Sequence, residues 1–201
     1  MTVPLTLETR PSPDDAVERP ADADDLIIAL DDKGAPRPVG KLEAHERNIR
    51  HRAISVFVFD RGRLLLQQRS ALKYHSRHLW ANTCCSHPLW DETVDACADR
   101  RLREEMGFNV PLTPFGVVSY QAPVSAPADD LFENEVVHRY WGRLGPDGPP
   151  IAPDPAEVQA HAWMTLPDVA ADIAAAPDRY APWFRIYMAA HFDTLGALAG
   201  Q

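Results

Sequence analysis

Apolar positions along the chain change spacing several times, and each change marks an element. Leu26-Ile27-Ile28-Ala29-Leu30 is an unbroken apolar run, and Asp31-Asp32-Lys33-Gly34 after it is turn chemistry, so a strand that ends in a turn is expected there. A hairpin follows. Ala53-Ile54-Ser55-Val56-Phe57-Val58-Phe59 and Leu64-Leu65-Leu66 flank the polar break Asp60-Arg61-Gly62-Arg63, and both runs have the composition of sheet interior. Between Glu92 and Met106 the spacing becomes helical: Val94, Ala98, Leu102 and Met106 recur every fourth residue beside Cys97, and Gly107 stands where such a helix would stop. Strands are then expected at 116–120, 135–141 and 158–164, with short helices around 167–176 and 183–192. Strands mixed with few helices, without a βαβ repeat, predict an α/β protein of the α+β type, a mixed sheet flanked by helices.

Composition narrows this picture. The stretch 1–25 is rich in Pro, Asp, Glu and Ala and has no aromatic residue, so it reads as an acidic tail with little apolar area to offset ordering. The remainder, 26–201, is the right size for one domain. A net charge of -9 argues against a general nucleic-acid surface and in favour of a small anionic partner held by a local group of bases. Three cysteines do not form a disulfide framework, and no signal peptide or long apolar run is present, so a cytoplasmic protein with no membrane partner is expected. A monomer is the expectation, with a dimer left open.

Three constellations carry candidate chemistry. His45, His51 and His87 with Glu133 and Glu135 form a metal-like set, because residues two apart on a strand project to one side. Imidazoles mixed with carboxylates suit Mn²⁺ or Zn²⁺ better than Mg²⁺, although each histidine alone has an ordinary structural reading. Cys85 lies in a polar segment, Trp80 to Pro88, expected as a loop; a nearby cation there would tune its thiol. Cys84 is its rival, since neighbours in an extended segment point opposite ways, whereas Cys97 falls on the apolar helix face. Lys41, Arg69, Lys73 and Arg101 are cations suited to a diphosphate, or else ordinary surface residues.

The segment Arg100-Arg101-Leu102-Arg103-Glu104-Glu105-Met106-Gly107-Phe108, with Glu92 eight residues before Arg100, resembles the Nudix box GX5EX7REUXEEXGU. It departs twice: Ser86 replaces the first Gly, and Arg101 replaces a Glu that hydrolases use. Around the box, Asn82-Thr83-Cys84-Cys85-Ser86-His87-Pro88, Glu133-Asn134-Glu135-Val136 and Ala181-Pro182-Trp183 are similar to type I isopentenyl diphosphate isomerases. The resemblance runs from about Lys41 to Trp183.

It implies a Nudix-like fold and interconversion of isopentenyl and dimethylallyl diphosphate. It also implies a divalent metal (Mn²⁺, Zn²⁺ or Mg²⁺) on His45, His51, His87, Glu133 and Glu135. A second Mg²⁺ would arrive with the diphosphate and be held by Glu105, while Lys41, Arg69, Lys73 and Arg101 grip the phosphates. Cys85 and Glu135 would be the catalytic pair, Tyr120 would assist proton delivery, and Trp183 would wall the cationic state, an interaction worth on the order of 2 kcal/mol when desolvated. The competing readings are a Nudix hydrolase acting on a nucleoside or other diphosphate, and a binding module without activity.

Overall fold

The computed structural model describes residues 25–124 and 131–200. The tail expected over 1–25 therefore lies outside the described residues, Asp25 excepted. Nine strands form one mixed sheet: β1 (Leu26–Leu30), β2 (Pro36–Gly40), β3 (His51–Asp60), β4 (Arg63–Arg69), β5 (Trp80–Ala81), β6 (Cys84–Ser86), β7 (Thr113–Pro123), β8 (Phe132–Arg143) and β9 (Val158–Thr165). Among the described residues four α-helices accompany them, α1 (Lys41–Glu46), α2 (Val94–Met106), α3 (Leu166–Ala175) and α4 (Pro182–Ala199), with a 3-10 turn at Pro177–Arg179.

β3 is the centre of the sheet. One of its edges pairs in parallel with β8, from His51 beside Glu135 to Phe59 beside Arg143. The other edge is shared in sequence by β1 at His51, by β6 at Ile54 to Val56 and by β4 at Phe59 and Asp60. β7 pairs antiparallel with the outer edge of β8, and β9 with β4. Parallel pairing needs a long crossover, and the chain between β3 and β8 supplies one that carries α2.

The two faces bury different clusters. On one, Cys97, Ala98, Leu102 and Met106 of α2 pack on Ile54, Val56, Val58, Leu65 and Cys84. On the other, Trp183, Phe184, Tyr187, Met188, Leu195 and Leu198 of α4 pack on Ala53, Phe57, Phe59, Leu64, Leu66 and Val137. The alternation along β3 sends successive residues to opposite helices, which is why the run 53–59 is apolar at every position but Ser55.

Every strand and helix expected from the sequence is present, with boundaries shifted by a few residues except at the C-terminus. α2 starts at Val94 rather than Glu92, because the Thr93 side chain accepts from the Ala96 amide (3.2 Å) and caps it. α4 runs to Ala199 rather than 192 by continuing past a non-helical His191 (φ −132°, ψ 21°). The segment Trp80 to Pro88, expected as a loop, instead contributes β5 and β6. Its polar side chains turn inward: Asn82 Nδ2 donates to the Val56 and Cys84 carbonyls, and Thr83 Oγ1 donates to Leu65 O while accepting from Val58 N. Polarity here reflects ties between β3 and β4, not solvent. β2 and α1 have no apolar period strong enough to announce them.

Gly107 ends α2 with φ at +73°, and a Cβ there would stand 2.0 Å from the Ala152 carbonyl oxygen. Gly107→Ala is expected to cost at least about 2 kcal/mol from the left-handed backbone and this contact. The measurement is urea unfolding; a midpoint equal to that of the parent would contradict the steric account.

Candidate active site

The sheet register places the site residues in rows. His51 on β3 lies beside Glu135 on β8, which lies beside Tyr120 on β7. Ser55, four residues along β3, pairs with Cys85 on β6. All project to the α4 face. Glu133 and Glu135 are both buried on it, as spacing by two requires, while Cys84 points the other way into the α2 cluster. Cys85 is therefore the thiol that reaches the cavity. α1 brings His45 and Lys41, the loop after β4 brings Lys73 and His75, and α4 brings Trp183. Apart from His45 and His51, these residues line one narrow cavity together with Arg69, Tyr74 and His87.

Ligand atoms of His45, His51, His87 and Glu133, one from each, lie within 4.8 Å of one another. The ring tautomers follow from the second nitrogen. His45 Nδ1 lies 2.9 Å from Phe132 O, and His51 Nδ1 lies 2.7 Å from Ile49 O; a carbonyl only accepts, so each Nδ1 carries the proton. Each Nε2 is then a lone pair, buried and without a hydrogen-bond partner. His87 donates from Nε2 to Glu135 Oε1 (2.9 Å), which leaves Nδ1 as its lone pair, also without a partner, and Glu133 Oε2 completes the set. Each buried, unsatisfied group costs roughly 1–3 kcal/mol, so four of them in one cluster of residues would be strongly unfavourable without a cation. The residues present fit a divalent ion, and their second-nitrogen hydrogen bonds are those that orient metal-binding imidazoles.

The ionisation states agree. Burial, together with His87 and His51, pushes His45 well below the ordinary imidazole range, and burial pushes His87 down to about 4, so both rings are neutral donors. Burial and the neighbouring Glu135 push Glu133 up. For Glu135 burial acts in the same sense, but the His51 and His87 imidazoles outweigh it and hold this carboxyl well below its usual value. Tyr120 donates to Glu135 Oε2 through a very short contact, and burial with that carboxylate keeps its hydroxyl protonated. Burial pushes the Cys85 thiol up to about 12; it donates to Asn82 Oδ1 at 3.0 Å. Glu135 adjoins the four-residue cluster: its Oε1 lies 2.9 Å from His87 Nε2 and 3.6 Å from His51 Nε2.

Among the expected cations, Lys41, Arg69 and Lys73 line the cavity. Arg69 also lies 5.3 Å from the centre of the Trp183 ring, and its guanidinium donates to the His75 carbonyl. Arg101 and Glu105 do not line it. Both sit on α2, where Arg101 is held by Glu104, Glu105 and Glu157, and Glu105 also accepts from Gln67 Nε2. Glu157 pairs with Lys73 as well; burial opposes its ionisation, but Lys73 and Arg101 outweigh that and hold it down to about 2.

Two site residues had no sequence signal. His75 is buried with Nε2 3.7 Å from Glu133 Oε1, and Glu157 links the cavity-lining Lys73 to Arg101 of the box. Only the fold brings them near.

Residues 49–184 match the NUDIX domain family. The chain is 47% identical over 163 residues to an isopentenyl-diphosphate Delta-isomerase from Cereibacter sphaeroides, covering 81% of this chain and 90% of the relative. It is 46% identical over 173 residues to the enzyme of that name from Dinoroseobacter shibae, covering 85% and 95%. In three dimensions it resembles the crystal structure of DR0079 from Deinococcus radiodurans, with a TM-score of 0.60 at 15% identity over 75% of this chain and 90% of that one. The last likeness bears on the fold alone.

Removing divalent ions with a chelator should lower the thermal midpoint, and Zn²⁺ or Mn²⁺ should restore it, because the ion satisfies acceptors that the unfolded chain gives to water. Calorimetry with and without metal is the check. An unchanged midpoint in both would mean that the imidazole lone pairs are satisfied in another way.

Proposed function

The chain belongs to the NUDIX family and, within it, to the isopentenyl-diphosphate Delta-isomerases, and from that premise we propose how its own residues isomerise isopentenyl diphosphate to dimethylallyl diphosphate. The observation that supports the reading most directly is the placement of half-buried Cys85 and buried Glu135 in one narrow cavity, beside three cations and an indole.

The reaction adds a proton at one end of an unactivated alkene and removes another two carbons away, through a tertiary carbocation-like state. It needs an acid, a base and a site from which water is excluded. Cys85 and Glu135 serve as the pair, one on each face of the alkene. Tyr120 donates to Glu135 Oε2 and His87 to Oε1, so both donors bear on the carboxylate that handles the proton. Trp183 forms the wall, with Arg69 already stacked on the ring. Lys41, Arg69 and Lys73 hold the diphosphate, and Arg101 acts behind Lys73 through Glu157.

His45, His51, His87 and Glu133 hold a divalent ion, with Glu135 at its side; three imidazoles and a carboxylate favour Zn²⁺ or Mn²⁺ over Mg²⁺. When bound, that ion supplies positive charge that tunes the acidity of Glu135 and Tyr120. Glu105 would take the second ion, Mg²⁺ accompanying the phosphates, by exchanging its contacts with Arg101 and Gln67. Arg101 in the place of a box carboxylate already neutralises that acid, which weighs against the hydrolase reading. The reading takes residues 26–201 as a single catalytic domain acting as a cytoplasmic monomer on a small diphosphate; among the described residues no helix is long and apolar enough to cross a membrane.

The test is turnover of isopentenyl diphosphate by metal-replete protein in D₂O, followed by proton NMR. Deuterated dimethylallyl diphosphate is expected, and released phosphate would indicate hydrolysis instead. Cys85→Ala and Glu135→Gln should each abolish isomerisation with the fold intact, while Cys84→Ala stays active; wild-type turnover in either of the first two removes the mechanism. Lys73→Met should raise KM about tenfold and leave kcat within about twofold, since its contact is the same in the ground and transition states. A fall in kcat at constant KM would place Lys73 in the chemical step.

A further inference from the structure

His75 takes no part in the proton transfers or in the four-residue metal set, yet it stands in the same cavity. It comes from the loop after β4, two residues beyond Lys73, and is 4% exposed. A polar ring this deep in a protein ordinarily has both nitrogens satisfied. Nδ1 lies 3.3 Å from Ser76 Oγ. Nε2 makes no hydrogen bond among the described residues; it faces Glu133 Oε1 at 3.7 Å, beyond hydrogen-bond reach. A lone pair turned toward a carboxylate oxygen would be repelled, so the proton sits on Nε2 and the Ser76 hydroxyl donates to Nδ1. A buried N–H is left over.

The surroundings of this donor are cationic. Arg69 donates to the His75 carbonyl from Nε and Nη2, at 3.4 and 3.2 Å, and its guanidinium lies 5.3 Å from the centre of the Trp183 ring. The Tyr74 and Trp183 rings stand edge-on to His75, at 4.4 and 6.1 Å between centroids, and Lys41 Nζ lies 5.7 Å from the centre of the Tyr74 ring. Lys41, Arg69 and Lys73 line the cavity together with His75. Three cations and an unused N–H around one opening suit an oxyanion: the cations supply charge, and the imidazole supplies a donor of fixed direction, which a lysine ammonium lacks.

We infer that His75 is a further substrate-binding residue, donating a hydrogen bond from Nε2 to an oxygen of the substrate diphosphate beside Lys41, Arg69 and Lys73. The inference rests on the reading of those cations as the diphosphate site. Ser76 holds the ring from Nδ1, and Arg69 holds the backbone that carries it, so the donor is already aimed before substrate arrives. His75 touches no reacting carbon, and the metal set closes within 4.8 Å without it.

The experiment measures, on metal-replete protein, the binding of inorganic pyrophosphate with Mg²⁺ by calorimetry, and KM and kcat for isopentenyl diphosphate. In His75→Leu the pyrophosphate dissociation constant and KM are both expected to rise about tenfold, with kcat within about threefold of the parent. His75→Gln, whose amide keeps a donor near the position of Nε2, should return both to within about threefold. His75→Asn, which is polar but too short to place a donor there, should show the same loss as His75→Leu and replaces it if that variant does not fold. Thermal midpoints and bound-metal content check each variant. Parent-like pyrophosphate affinity in folded, metal-loaded His75→Leu or His75→Asn would overturn the inference. Losses in His75→Gln equal to those in the other variants would do the same, since the ring would then act by packing. A fall in kcat at constant KM, or loss of bound metal from every variant, would also overturn it by placing His75 in the chemical step or in the metal set. The parent separates this inference from the wider reading: pyrophosphate binding without isomerisation removes the isomerase reading and leaves His75 to be judged by the binding series, whereas isomerisation with a pyrophosphate affinity indifferent to His75 removes this inference alone.

Discussion

The parallel pairing of β3 with β8 is the constraint on which the site depends. It sets His51 against Glu135 and Ser55 against Arg139, and the neighbouring strands inherit that register. Tyr120 then falls beside Glu135 from β7, and Cys85 beside Ser55 from β6. Because side chains alternate, a slip of one residue would turn the whole set into the α2 core and bring that core's apolar residues into the cavity. The apolar residues between the polar ones, Val137 on β8 and Ala53 and Phe57 on β3, oppose such a slip by packing under α4. Burial of ordinary core residues thereby holds the polar row in place.

That row carries polar groups into the interior, and each is answered differently. His45 and His51 spend one nitrogen on a backbone carbonyl and leave the other as a lone pair. Glu135 stays ionised because imidazoles outweigh its burial, whereas Glu133 is pushed toward the neutral form. The two carboxylates differ by environment alone: Glu135 has the imidazoles against it, and Glu133 has the neighbouring carboxylate. Cys84 and Cys85, adjacent in sequence, are divided in the same way: one is a small apolar filler beneath α2 and the other faces the cavity.

The box helix shows how a shared fold is turned to different chemistry. Arg101 is buried enough to need partners and finds them in Glu105 and Glu157. Glu157 in turn holds Lys73 at the cavity wall. A substitution that removes an acid from the box thus becomes a brace for a lysine at the cavity wall.

Much of this was legible in the chain. Periodicity located β1, β3, β4, β7, β8, β9, α2, α3 and α4, because burial on one face imposes a spacing that local composition displays. The shared face of Glu133 and Glu135 and the opposition of Cys84 to Cys85 follow from the geometry of any extended strand. The Nudix-like box and the motifs around it indicated the fold and the reaction. What the chain could not display were contacts between residues far apart in it: His75 beside Glu133, Glu157 between Arg101 and Lys73, Tyr187 on Ser55. The inward turn of Asn82 and Thr83 was hidden for the same reason, since a polar side chain reads as exposed until its backbone partners are known. Local spacing is a property of sequence, whereas the satisfaction of buried polar groups is decided only when distant strands are brought into register.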